Sequence, residues 1–101
     1  VVPLRSDLVV VGKVVGIHGF RGCLKVQPLT DYPERFLEMK EMRLYSPEGR
    51  LVLHRPVLSV RPGPAGRFFL VELEGVLGEV EARRLVGALV KVSRSERVPL
   101  G

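Results

Sequence analysis

The sequence predicts an all-β fold, a small antiparallel barrel of about six short strands with one or two helical turns. Three observations point there. Runs of β-branched and other apolar residues recur at lengths of a handful of residues, the usual span of a strand. Glycine and proline, 11 and 8 in 101 residues, punctuate the chain more often than a sandwich of long strands needs. An apolar content of 46% at this length supplies a modest core without disulfide or metal.

The first strand is read over Leu8 to Val15, almost all Val and Leu, with Gly12 marking a bend or a close backbone approach. Gly16-Ile17-His18-Gly19-Phe20-Arg21-Gly22 follows as a tight connection. Its three glycines admit positive φ, and its tip carries an imidazole, an aromatic ring and a guanidinium. Leu24 and Val26 then alternate with Lys25 and Gln27, a half-exposed strand ended by Pro28. Around Asp31 to Phe36 a turn or short helix is expected. Asp31 is placed to cap it and Glu34 to complete a capping box, with Phe36, Leu37 and Met39 plugging one barrel end.

Met42 to Tyr45 and the strand from Leu51 to Val60 flank Ser46-Pro47-Glu48-Gly49-Arg50, a hairpin signal. Pro56 calls for an edge position or a bulge. After a Pro62–Gly66 loop, Arg67 to Leu73 reads as a strand bringing Phe68 and Phe69 to the core. Glu79 to Val86 reads as a helix, acidic at its start and basic at its end, burying Ala82, Leu85 and Val86 and stopped by Gly87. Leu89 to Val92 is the last strand. Residues 1–92 thus form one domain, and the polar stretch 93–101 reads as a linker.

A formal net charge of +5 favours a polyanionic partner, RNA or an acidic protein surface, against the plainer reading of simple solubility. Cys23 is the only cysteine, which excludes an internal disulfide and fits a reducing cytosol. No apolar run reaches membrane-span length and the first residues lack a signal-peptide pattern. The chain does not begin with methionine, so Val1 is not expected to be the native start. Charge placement is more informative than the total. No Asp or Glu stands between Asp7 and Asp31, an interval holding Lys13, His18, Arg21 and Lys25. None stands between Glu48 and Glu72, which encloses Arg50, His54, Arg55, Arg61 and Arg67. Adjacent on a barrel, these two stretches would make a basic face; otherwise they are ordinary solvated strand surfaces.

For catalysis the signals are thin. His18 has no orienting carboxylate near it in sequence, and a thiol–imidazole pair of Cys23 with His18 lacks a third partner. Two histidines and one cysteine without ligand spacing do not form a zinc site. The glycine loop lacks the Lys-Ser/Thr ending of a phosphate-binding loop.

Val11-Gly12-Lys13-Val14-Val15-Gly16-Ile17-His18-Gly19-Phe20-Arg21-Gly22 resembles the opening signature of the bacterial ribosome maturation factor RimM family. Thr30-Asp31-Tyr32-Pro33-Glu34-Arg35-Phe36, Leu73-Glu74-Gly75-Val76 and Glu81 to Leu89 continue the pattern over nearly the whole chain. The resemblance implies a six-stranded barrel like the second domain of translation elongation factors. It also implies a non-enzymatic role: binding the head of the immature small ribosomal subunit, at its S-nineteen-type protein and nearby rRNA, to assist rRNA processing. The family carries a second, PRC-type barrel, to which residues 93–101 would begin the linker. Cys23 stands where the family is usually acidic, and Leu77-Gly78-Glu79-Val80 replaces a more polar helix entry.

The expected contacts are therefore His18, Gly19, Phe20, Arg21, Gly22 and Lys25, with Arg55, Arg61 and Arg67 secondary. A cytoplasmic monomer is expected, with no cofactor, metal, membrane or small-molecule substrate. The competing readings are a stand-alone barrel that binds an acidic protein and a thiol-dependent enzyme.

Overall fold

A computed structural model describes residues 8–19, 21–63 and 66–93. The expectations for Phe20 and for the stretch from residue 94 lie outside them. The strands are β1 (Leu8–His18), β2 (Cys23–Pro28), β3 (Glu41–Tyr45), β4 (Leu51–Pro62), β5 (Phe69–Leu73) and β6 (Leu89–Ser93), with a 3-10 helix at Pro33–Glu38 and α1 at Glu79–Arg84. They close into a barrel in the order β1-β2-β5-β4-β3-β6, every pair antiparallel, as the sequence predicts.

Two long strands make closure possible. The first half of β4 pairs with β3, from Tyr45↔Leu51 to Glu41↔Pro56, and its second half with β5, from Val57↔Leu73 to Pro62↔Phe69. Pro56, which has no N–H to give, sits where one ladder hands over to the other, and its carbonyl accepts from Glu74 N at 3.0 Å. A closed barrel has no edge strand, so the proline occupies a junction; the register shift lies just beyond it, between Val57 and Ser59. Strand β1 bulges between Val10 and Gly12 and between Val14 and Gly16. Gly12 is small by necessity: a Cβ there would stand 2.8 Å from the Phe36 ring.

Inside the ring, Val11, Val14, Leu24, Val26, Leu44, Val71 and Val90 are fully buried, each on the inward phase of its strand. Phe36 plugs one end, also fully buried and stacked on Phe69 at 5.3 Å between ring centroids. Its neighbours divide, since Met39 packs partly on the core while Leu37 is exposed. The expected Asp31 cap does not form. With Pro33 opening the helix, the capping position falls to Tyr32, one residue too late for Asp31, and no side chain caps it.

Other expectations shift for local reasons. β1 runs three residues past Val15 because Gly16, Ile17 and His18 keep pairing with Lys25, Leu24 and Cys23. Strand β5 begins at Phe69, and Phe68, just ahead of it, is only half-buried. Helix α1 ends two residues early, its last turn tightening as Leu85 N donates to Ala82 O and Val86 N to Arg83 O. That rotation leaves Val86 exposed while Ala82 and Leu85 stay buried. Gly87 does stop the helix, at φ 97°, and its N–H donates to Val14 O at 2.7 Å.

Candidate functional site: a hairpin tip and a basic outer wall

The β1–β2 hairpin narrows the predicted loop to Gly19–Gly22. Gly16 lies in the ladder opposite Lys25, so only two of the three glycines use positive φ, Gly19 at 73° and Gly22 at 89°. They do different work. Nothing lies within 4 Å of a Cβ built on Gly19, whereas one on Gly22 would stand 2.5 Å from the Val76 carbonyl oxygen. Gly22 is buried and seats the root of the tip on the turn that leads into α1; His18 and Arg21 are exposed. Leu77 and Val80 project from that same turn and helix, 75% and 64% exposed.

Sidedness follows from register. On β2, Leu24 and Val26 point inward, so Cys23, Lys25 and Gln27 point outward. Pairing then sets Lys25, Leu70 and Arg61 in one row across β2, β5 and β4. Lys25 and Arg61 lie 36 residues apart in sequence, but only two strand spacings separate their Cα atoms, about 10 Å. Glu72 holds the outward position next along β5 and accepts from the Ser59 hydroxyl at 3.0 Å. The two acid-free stretches therefore meet on either side of β5, with Glu72 standing beside their junction.

Other cations add to this wall or leave it. Lys13, on β1 opposite Gln27, is exposed, and Lys91 on β6 extends its ammonium 5.1 Å from the Tyr45 ring centroid. Lys25 lies likewise 5.2 Å over Phe68. Among the described residues no carboxylate lies within ion-pair distance of Lys13, Arg21, Lys25, Arg61, Arg67 or Lys91. Arg55 stands on the β3-paired half of β4, where it donates to the His54 carbonyl at 3.0 Å and lies beside Gly75. His54 and Arg43 share Glu41, and Arg83 pairs with Glu79. Arg67 is exposed ahead of β5. Lys91 escaped the sequence reading, although the alternation of Leu89 to Val92 carries it outward.

His18 and Cys23 do face each other in register, the pairing a thiol enzyme would want. The thiol is 3% exposed and makes no hydrogen bond to the imidazole. Burial pushes its pKa up, with Glu72 adding to the rise, while Arg61 and the Val71 backbone pull the other way. A thiolate is disfavoured there, and the pair offers no nucleophile. Among the described residues no group of three His, Cys, Asp or Glu is placed to hold a metal, and no helix is long and apolar enough to cross a membrane.

A family model described as the RimM N-terminal domain matches residues 9–97. The chain is 38% identical over 96 residues to the ribosome maturation factor RimM of Symbiobacterium thermophilum, covering 95% of this chain and 52% of that protein. It is 37% identical to the RimM of Moorella thermoacetica, covering 96% and 56%. It thus spans about half the length of these relatives. Among solved structures, a 16S ribosomal RNA processing protein RimM from Pseudomonas aeruginosa superposes with a TM-score of 0.80 at 31% identity, over 92% of this chain and 54% of that one. The N-terminal domain of RimM from Thermus thermophilus gives 0.66 at 21% identity, over 93% and 98%, a likeness of fold.

Proposed function

The chain belongs to the RimM family through its N-terminal domain, and on that premise we propose that it docks on the immature small ribosomal subunit. In this reading it binds at the head, on the S-nineteen-type protein and adjoining rRNA, and assists rRNA processing by shape and charge, without bond chemistry. It works in the cytoplasm as a monomer, and residues 93–101 begin the connection to a second, PRC-type barrel. The contacts are His18, Gly19, Phe20 and Arg21 at the tip, shaped by buried Gly22, with Lys25 and Arg61 beside it and Arg67 toward the other end of β2. Arg55, tied to its own strand, is the least available.

The observation that carries the reading is the tip itself. Exposed His18 and Arg21 stand on a hairpin whose root is fixed by the contact of Gly22 with Val76. A fixed cationic projection suits recognition, because little order remains to be imposed on binding. Cosedimentation of the chain with purified small and large subunits tests it. The chain should travel with small subunits alone, less so as salt rises. Arg21→Ala should weaken association about tenfold, the equivalent of one charge-assisted contact of about 1.4 kcal/mol. Undiminished binding by Arg21→Ala would remove the tip from the interface.

A further inference from the structure

We infer that the outer wall of β1, β2, β5 and β4, which takes in the Lys25 and Arg61 contacts of the ribosomal reading and adds Lys13, is a binding surface for the phosphate backbone of RNA. Naming RNA as the polyanion rests on the ribosomal reading above; the surface itself rests on register and charge. Lys25 and Arg61 flank Leu70 in one row, and Lys13 stands one strand further round, opposite Gln27.

The three cations share properties that Lys91 has as well, on the neighbouring strand β6, but that Arg55 and Arg83 lack. Each extends from the outward phase of a paired strand, so its Cα is held by the ladder rather than by a loop. None has a carboxylate within ion-pair distance among the described residues. By contrast Arg83 is paired with Glu79, and Arg55 donates to its own strand. Lys25 is further steadied over the Phe68 ring, which holds the ammonium without neutralising it. Beneath the charges lie two buried side chains that belong to no part of the core cluster, Leu70 and Cys23, 5% and 3% exposed. Their burial makes the floor beneath these charges apolar.

The acids define the limit of the surface. Glu72 is the one outward carboxylate on β5, half-buried and occupied by Ser59, on the side of the row toward Cys23. An extended acidic peptide would satisfy the same charges. On the ribosomal reading the polyanion is the phosphodiester backbone, whose repeating charge meets cations held without carboxylate partners on a rigid sheet.

The test measures binding of the whole chain to a fluorescein-labelled uridine homopolymer by anisotropy across a salt series. The wild type should show affinity falling linearly with the logarithm of salt. Replacing Lys13, Lys25 and Arg61 together by Gln should reduce that slope by about 2, at about 0.7 for each single-strand phosphate contact. Lys13→Gln alone, at a site with no packing role, should reduce it by about 0.7 and guards against misfolding of the triple variant. Arg83→Gln should leave it unchanged.

A slope unaltered by the triple variant would overturn the assignment, as would polyglutamate competing as strongly as the RNA, which would mark an acidic-protein surface. Cosedimentation separates this inference from the ribosomal reading. Free-RNA binding lost in the triple variant supports the wall whether or not subunits are bound. Subunit binding by a chain that ignores free RNA would sink the wall and leave that reading standing.

Discussion

Substituting alanine at the two positive-φ glycines of the hairpin separates backbone strain from contact. Gly19→Ala meets nothing within 4 Å and carries only the conformational cost of φ 73°, about 1–2 kcal/mol. Gly22→Ala carries the same strain at φ 89° and also sets its methyl 2.5 Å from the Val76 carbonyl oxygen. Backbone on both sides of that contact must move, an overpacking cost of about 1–3 kcal/mol. The totals are about 1–2 and about 2–5 kcal/mol. At about 4–8 °C per kcal/mol for a domain of this size, Gly22→Ala should melt at least ~4 °C below Gly19→Ala. Circular dichroism melts of the two variants beside the wild type measure this, and urea titration gives the same ranking in free energy. Gly22→Ala should also lose subunit association, since the tip is carried on that contact. Equal melting temperatures for the two variants would refute the claim that the hairpin root is seated on the turn before α1.

Two further outcomes follow from the core and the outer wall. Phe36→Ala empties the plug beneath Phe69 and should cost about 3–5 kcal/mol in urea unfolding, enough to leave a domain of this size marginal; a loss below about 1 kcal/mol would mean the ring is dispensable. The Cys23 thiol, pushed up by burial, favours its protonated form in the fold. That preference stabilises fully below the ordinary thiol pKa and is lost as pH rises through the raised value, so stability should decline above about pH 8.5 and decline less in Cys23→Ala. Iodoacetamide should accordingly label Cys23 slowly at neutral pH in the native chain and rapidly in urea; fast native labelling would contradict the burial.

What the sequence disclosed divides along physical lines. Local periodicity was readable: Leu24 and Val26 against Lys25 and Gln27 announce a two-faced strand because side chains alternate with a period of two. The residues of the tip were equally visible, an imidazole and a guanidinium among glycines, and the fold adds that His18 and Arg21 are exposed. Glycine was ambiguous, because the same residue serves extended backbone at Gly16, close packing at Gly12 and positive φ at Gly19 and Gly22. Phe68 and Phe69 were equally apolar on paper, yet Phe68 stands just ahead of the strand that begins at Phe69, and only Phe69 is in the core. The wall was the least readable feature. Its acid-free stretches were visible, but their meeting across Leu70 depends on β5 standing between β2 and β4, an arrangement fixed by long-range pairing.

The placement of β6 bears on how this barrel comes into being during translation. It is the last of the barrel's six strands to leave the ribosome, yet it sits between β1 and β3, with Ser93 beside Leu8. Until residues 89–93 emerge, both of those neighbours present bare hydrogen-bonding edges, the kind that recruit other nascent polypeptides. Ring closure joins positions 85 residues apart, among the slowest steps available to a chain this short. The barrel is thus a lock whose key is the last of its own six strands, open through nearly all of its own synthesis.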